Sequence, residues 1–379
     1  MDILIAPDSF KGSLSAEKYC DVAKKAVTNV FPNANVVTCP MADGGEGTVE
    51  ALVYNTKGSI LYETVTDPIG KPVKAKYGLL GDDKTAVIEM ASASGLPLVP
   101  VDKKNPLYTT TYGTGELVKK VIDKGCTTII LGIGGSATND GGAGMMEALG
   151  FKLLDEEGNM IQRGAIGLKD LHHIDTSNKD KRLDDVNFLV ACDVNNPLCG
   201  PNGASYIYGP QKGATKEQLP LLDDALANFA SIIKKDFGKE VKDIEGSGAA
   251  GGLGAGLLAF FDATLKPGFE IIKDIINLEK YFSDFKFDLV ITGEGEINYQ
   301  TVNGKLPVGV AKTAKKYDVP VIAVAGSIGK DAERVYEHGI DSVFTIMDGP
   351  HNLDYAIKNA DILLFQAIER IMKVIKLYN

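Results

Sequence analysis

The chain has 379 residues, 44% of them hydrophobic and 24% charged, enough to bury a large core and, judged from length, to form two domains. Its 50 acidic and 40 basic side chains leave a formal net charge of -10, and no run of Lys or Arg is long enough to follow a phosphate backbone, which argues against a nucleic-acid partner. No apolar run approaches the roughly 20 residues that span a bilayer, and Asp2 stands where a targeting segment would carry basic residues, so a cytoplasmic protein with no membrane partner is expected.

In chain order, residues 3–6 form a short apolar run that reads as a buried parallel strand. Residues 15–30 carry apolar side chains at helical spacing behind Ser15, a good N-cap, and 36–39 read as a second strand. Between 64 and 98 the pattern changes to strands and turns, with Asp67-Pro68, Ile69-Gly70 and Gly81-Asp82 as turn signals. Strand-like runs return at 129–132, 188–191, 289–292, 321–325 and 343–346, and 354–377 predicts a long helix broken once. This alternation indicates an α/β protein. Two N-terminal and three C-terminal strands complete a five-stranded doubly wound parallel sheet over 1–63 and 286–379, interrupted by an inserted mixed α/β domain at 64–285.

In such sheets ligands bind beyond the carboxyl ends of the strands. The exits here are Pro7-Asp8-Ser9-Phe10-Lys11-Gly12, 40–48 with Asp43-Gly44-Gly45, Gly293-Glu294-Gly295 and Gly326-Ser327. Any one of these is as good a turn as a site, but several strand exits share the same carboxylates and glycines. Asp193 also follows a strand-like run, and a metal or substrate role weighs level with an Asx-turn there.

Residues 132–144, Gly-Ile-Gly-Gly-Ser-Ala-Thr-Asn-Asp-Gly-Gly-Ala-Gly, leave a strand and lead toward a helix. Backbone N–H groups and hydroxyls of such a loop suit phosphate oxygens, which makes Gly134, Gly135, Ser136 and Thr138 candidate donors. Gly132, Gly134 and Ala137 also outline a dinucleotide fingerprint, but Gly141, Gly142 and Gly144 fall where its helix should wind. The stretch 247–256 is either a ligand loop or a close helix-packing surface. Lys212 and Lys305 lie beside Gly213 and Gly304, where a positive charge could meet phosphate or carboxylate. No P-loop motif occurs, Asp236-Phe237-Gly238 has no kinase partner motif and reads as a helix end, and the four histidines share no zinc spacing. The five cysteines, Cys20, Cys39, Cys126, Cys192 and Cys199, form no C-x-x-C pair and read as small buried thiols.

Taken in order, 5–16 (Ile-Ala-Pro-Asp-Ser-Phe-Lys-Gly-Ser-Leu-Ser-Ala), 40–48, Thr110-Thr111-Tyr112-Gly113-Thr114-Gly115-Glu116, 132–144, 191–203, Gly209-Pro210-Gln211-Lys212-Gly213-Ala214-Thr215, 248–256 and 288–295 resemble the type-1 glycerate kinase family over essentially the whole chain. The resemblance implies a flavodoxin-like domain interrupted by a second α/β domain, and ATP-dependent phosphorylation of D-glycerate with Mg2+, 2-phosphoglycerate being favoured over 3-phosphoglycerate. The family usually continues Gly-Glu-Gly with Arg-Ile-Asp, whereas this chain has Glu296, Ile297 and Asn298, so a cation and a carboxylate are missing.

The mechanism expected from these residues places ATP and glycerate between the domains, with Gly134, Gly135, Ser136, Thr138 and Lys212 toward the nucleotide phosphates. Lys11 then pairs with a phosphate or the glycerate carboxylate, while Asp8, Asp43, Asp193 and Glu294 are candidates for Mg2+ ligand or base, Asp43 and Asp193 above all for the metal. A metal-dependent hydrolase and a non-catalytic metabolite-binding regulator each account for some motifs, but not for their joint order.

Overall fold

The computed structural model describes residues 1–302 and 305–378; Gly304 lies outside the described residues. Two compact units divide the chain, one of Met1–Asp43, Glu50–Thr56 and Phe269–Asn379, the other of Gly44–Val49 and Lys57–Gly268.

The first unit is built on a five-stranded sheet in the order Ser342–Thr345, Val321–Ala325, Leu289–Thr292, Asp2–Ile5, Asn35–Thr38, and all of its pairings are parallel. In chain order this is the 2-1-3-4-5 arrangement of flavodoxin-like sheets, whose direction of winding reverses between the first and third strands. Side chains alternate along the strands. Ile3 and Ile5 pack with helices Ala16–Val30 and Ala360–Lys376, whereas Leu4 and Val290 are equally buried on the opposite side. Ser15 caps the first of these helices by accepting from the Lys18 N–H, as its position predicts. The C-terminal pattern does break once, between Leu353–Lys358 and Ala360–Lys376.

The second unit has a six-stranded sheet in the order Thr264–Lys266, Asn187–Ala191, Thr128–Gly132, Thr85–Glu89, Pro72–Leu79, Ser59–Thr66. Its first four strands run parallel and the last two are antiparallel additions, so it is mixed, as the change of pattern predicts. The units divide at 56/57 and 268/269, where sequence patterning suggested 63/64 and 285/286. Ser59–Thr66 pairs along its whole length with Pro72–Leu79, which carries residues 59–63 into the second unit. At the other end Phe269 lies against Gly309, and Phe282 stacks on Tyr317 with ring centroids 5.3 Å apart, which ties 269–285 to the first.

Helix Gln218–Phe237 ends at Gly238, so Asp236-Phe237-Gly238 is a helix end. The thiols of Cys20, Cys39 and Cys126 are buried, but Cys192 and Cys199 are only partly so, a correction to the uniform burial expected. Among the described residues no helix is long and apolar enough to cross a membrane.

Candidate functional site

The first unit gathers an acidic cluster where its sheet reverses direction. Asp8 leaves the strand Asp2–Ile5 and is 3% exposed; its N–H donates to Gly293 O at 2.8 Å, and its own carboxylate accepts from the Ser9 N–H at 2.6 Å. Glu294 leaves the neighbouring strand Leu289–Thr292, is buried, accepts from Thr301 Oγ1 at 2.7 Å and lies 3.8 Å from Lys305 Nζ. Asp43, beyond Asn35–Thr38, lies 3.0 Å from Lys11 Nζ. The buried Ser9 hydroxyl beside Asp8 has no partner among the described residues. The fold thus brings together Asp8, Lys11, Asp43 and Glu294, all singled out in the sequence, and adds Thr301 and Ser9, to which sequence reasoning gave no role.

Three carboxylates face two lysines here, and burial is the largest single influence on Asp8, Glu294 and Lys11. Asp8 is pushed up to about 7, first by burial and then by repulsion from Asp43, with Lys11 opposing. Glu294 is raised by burial against the pull of the Thr301 hydroxyl and Lys305. Burial draws Lys11 down, but Asp43, Asp8 and Glu294 outweigh it and hold its pKa above the ordinary value. The cluster can therefore exchange a proton near neutrality at Asp8 while Lys11 stays cationic.

The second unit presents the glycine-rich loop beyond Thr128–Gly132. Gly134 and Gly135 are exposed, whereas Ser136 and Thr138 are buried. The carbonyls of the loop are held from within the unit: Gly135 O accepts from the Leu96 N–H at 2.9 Å, Ala137 O from Thr109 Oγ1 at 2.8 Å, and Thr138 O from Lys212 Nζ at 2.6 Å. Among the described residues no group accepts from the N–H groups of Gly134, Gly135 or Ser136. Because C=O and N–H point oppositely across a trans peptide, the bond that fixes Gly135 O turns the Ser136 N–H away from Leu96. Consecutive unpaired backbone donors suit an anion.

Lys212 is 2% exposed and so stands within the unit rather than at the loop surface. Burial pulls it down to about 7, with Asp140 opposing. Asp140, fully buried, accepts from Thr111 N–H at 2.8 Å, Thr111 Oγ1 at 3.0 Å, and the N–H groups of Gly142 and Gly144. Burial raises its pKa while those bonds hold it down. The helix after the loop starts only at Ala143, past a left-handed Gly142, so no dinucleotide-type helix opens at Gly134. The 248–256 stretch is a packing surface: Gly251, at φ +69°, lies so close to the loop that a Cβ there would sit 2.0 Å from Thr138 O.

Asp193, at the exit of Asn187–Ala191, is exposed and accepts from the N–H of Gly268, a residue distant in sequence, at 2.9 Å. Two further carboxylates were missed by sequence reasoning. Asp140 is one; the other is Glu89, buried at the end of Thr85–Glu89, which accepts from the N–H groups of Gly47 at 3.1 Å and Val49 at 3.0 Å. Asn298 makes a turn, accepting from the Gln300 N–H at 2.9 Å and donating to Glu296. Glu296 and Asn298 therefore satisfy each other without the charges expected at those positions.

Hard cations take oxygen ligands, and Mg2+ commonly uses one or two carboxylates together with phosphate oxygens and water. No group of three or more His, Cys, Asp or Glu able to hold a metal occurs among the described residues. The acidic excess around Asp43 in the first unit suits that sparser kind of site, and the exposed carboxylate of Asp193 in the second unit is, by itself, a ligand of the same kind.

A profile of the glycerate kinase family matches residues 3–376. The chain is 54% identical over 360 residues to the glycerate kinase of Bacillus subtilis, covering 95% of this chain and 94% of that one. It is 52% identical over 360 residues to the glycerate 2-kinase of Escherichia coli, with the same coverage. The crystal structure of glycerate kinase 2 from Salmonella typhimurium LT2 superposes with a TM-score of 0.90 at 48% identity, covering 100% of this chain and 98% of the other.

Proposed function

Because the chain belongs to the glycerate kinase family, we propose that it transfers the terminal phosphoryl group of ATP to D-glycerate and forms 2-phosphoglycerate. Its enzymatic class, glycerate kinase, follows from that membership; the donor, the position phosphorylated and the residue roles are our reading. The observation that carries them is Asp8, a buried carboxylate poised near neutrality where the flavodoxin-like sheet reverses.

Asp8 takes the proton of the attacking hydroxyl. The new bond joins that oxygen to the γ-phosphorus, the bond from γ-phosphorus to the bridging oxygen breaks, and ADP departs with the electron pair. A base so positioned contributes about 10²- to 10⁴-fold. Lys11 holds the substrate carboxylate, and Glu294, fixed by Thr301 and Lys305, orients the lysine side of the cluster. Gly134, Gly135 and Ser136 donate to the ATP phosphates, with Thr138 and Lys212 behind them. Asp43 of the first unit and Asp193 of the second are the candidate Mg2+ ligands, and the metal, when bound, would offset phosphate charge. Transfer needs alignment and charge neutralisation more than covalent help.

Purified protein supplied with ATP, Mg2+ and D-glycerate should release ADP, with phosphorus NMR identifying 2-phosphoglycerate. Absence of glycerate-dependent ADP would refute the activity; 3-phosphoglycerate would refute only the position. The name of the Escherichia coli relative, glycerate 2-kinase, favours the 2-position.

A further inference from the structure

We propose that Lys212 is a positioning residue for the donor phosphate: it does not contact the phosphate but braces the glycine-rich loop from beneath, through the Thr138 carbonyl. This deepens the proposed use of the loop and rests on it.

Three observations converge on Lys212. It is almost wholly buried, on the short turn Pro210–Lys212 that follows helix Ala204–Tyr208, and its ammonium reaches Thr138 O at 2.6 Å. The same segment grips the next loop residue, since Asn139 Nδ2 donates to Ser205 Oγ at 3.0 Å. Asp140, the following residue, is the charge that acts on the lysine, and Thr111 and two loop amides bind it in turn. Residues 138, 139 and 140 are thus each tied to a buried polar partner.

The preceding part of the loop is held by backbone and hydroxyl bonds at Gly135 and Ala137. Burying an ammonium is costly, and Asp140 offsets that cost only in part, since burial still draws the lysine down; what the lysine gives in return is its bond to the Thr138 carbonyl. Among the described residues Thr138 Oγ1 and Asn139 Oδ1 are buried without partners, so these two oxygens do not anchor the loop. The Lys212 bond fixes the Thr138–Asn139 peptide plane, and with it the path by which the chain returns from the unpaired donors at 134–136.

The test compares Lys212→Met, which removes the donor, with Lys212→Gln, which keeps a neutral donor. Expected for Lys212→Met is a rise of at least tenfold in the KM for ATP, a KM for D-glycerate within twofold of the parent, and an unchanged or higher melting temperature. Lys212→Gln should recover part of the loss. Equal effects on both substrates, an unchanged KM for ATP, or failure of both variants to fold would each overturn the proposal, the last by showing that the lysine serves folding alone. Should the parent enzyme show no kinase turnover, the wider functional reading falls; calorimetric titration of parent and variants with ATP then decides the Lys212 role by itself, weaker binding by Lys212→Met supporting it and equal binding refuting it.

Discussion

Replacing Asp8 by Asn should make the enzyme both slower and more stable. Asp8 is raised from 3.8 to about 7 by burial and by Asp43. Between those values the folded protein binds a proton that the unfolded chain does not, so stability falls as pH rises from about 4 to about 7. With about 1.4 kcal/mol per unit, the ionised Asp8 costs on the order of 4 kcal/mol at pH 8, as an upper figure. An amide escapes that cost, so Asp8→Asn should be the more stable protein at pH 8, with the difference shrinking as pH is lowered toward 4. Turnover should fall about 10²- to 10⁴-fold, and the parent should lose activity roughly tenfold per unit below pH 7, as expected for a base of that pKa. Urea unfolding at pH 4, 6 and 8, with initial rates at saturating substrates, measures both quantities. A variant no more stable than the parent at pH 8, or one retaining more than a tenth of its turnover, refutes the reasoning.

Gly251→Ala should destabilise the second unit by at least about 2 kcal/mol, since a left-handed residue gains a Cβ that collides with Thr138 O, and should raise the KM for ATP in whatever fraction folds; urea titration and ATP kinetics check this. Asp43→Asn and Asp193→Asn should each raise the Mg2+ concentration for half-maximal rate at least tenfold, and magnesium titrations identical to the parent's would remove both from the metal site. Asn298→Asp sets a carboxylate against Glu296 and should cost about 0.5–1 kcal/mol; Glu296→Arg in the same chain should restore it, and a melting comparison of the single and double variants shows whether it does.

Much of the scaffold was legible because local physics dictates it. The seven apolar runs from 3–6 to 343–346 all fall on parallel strands, since a strand covered on both faces must be apolar throughout. Ser15 caps its helix because an oxygen at that position meets the Lys18 N–H within one turn. Asp8, Asp43 and Glu294 were recoverable as strand exits, and the parallel topology brought them into one cluster. Asp140 and Glu89 were not, because their roles are defined by partners distant in sequence: Glu89 binds amides some forty residues before it, and Asp140 binds Thr111; Thr301 was not, because only the folded turn brings its hydroxyl to Glu294. The unit boundaries shifted for the same reason, being set by the long-range pairing of Ser59–Thr66 and the packing of Phe269.

From its sequence alone this protein could be identified as an α/β chain with acidic strand exits, a glycine-rich anion loop and an ordered likeness to glycerate kinases. Only the tertiary structure placed Lys212 beneath that loop rather than at its surface and raised Asp8 toward neutrality. Residue type and spacing set what a side chain is able to do. Burial and through-space charge, which depend on every segment packed around it, set the protonation and position in which it does so.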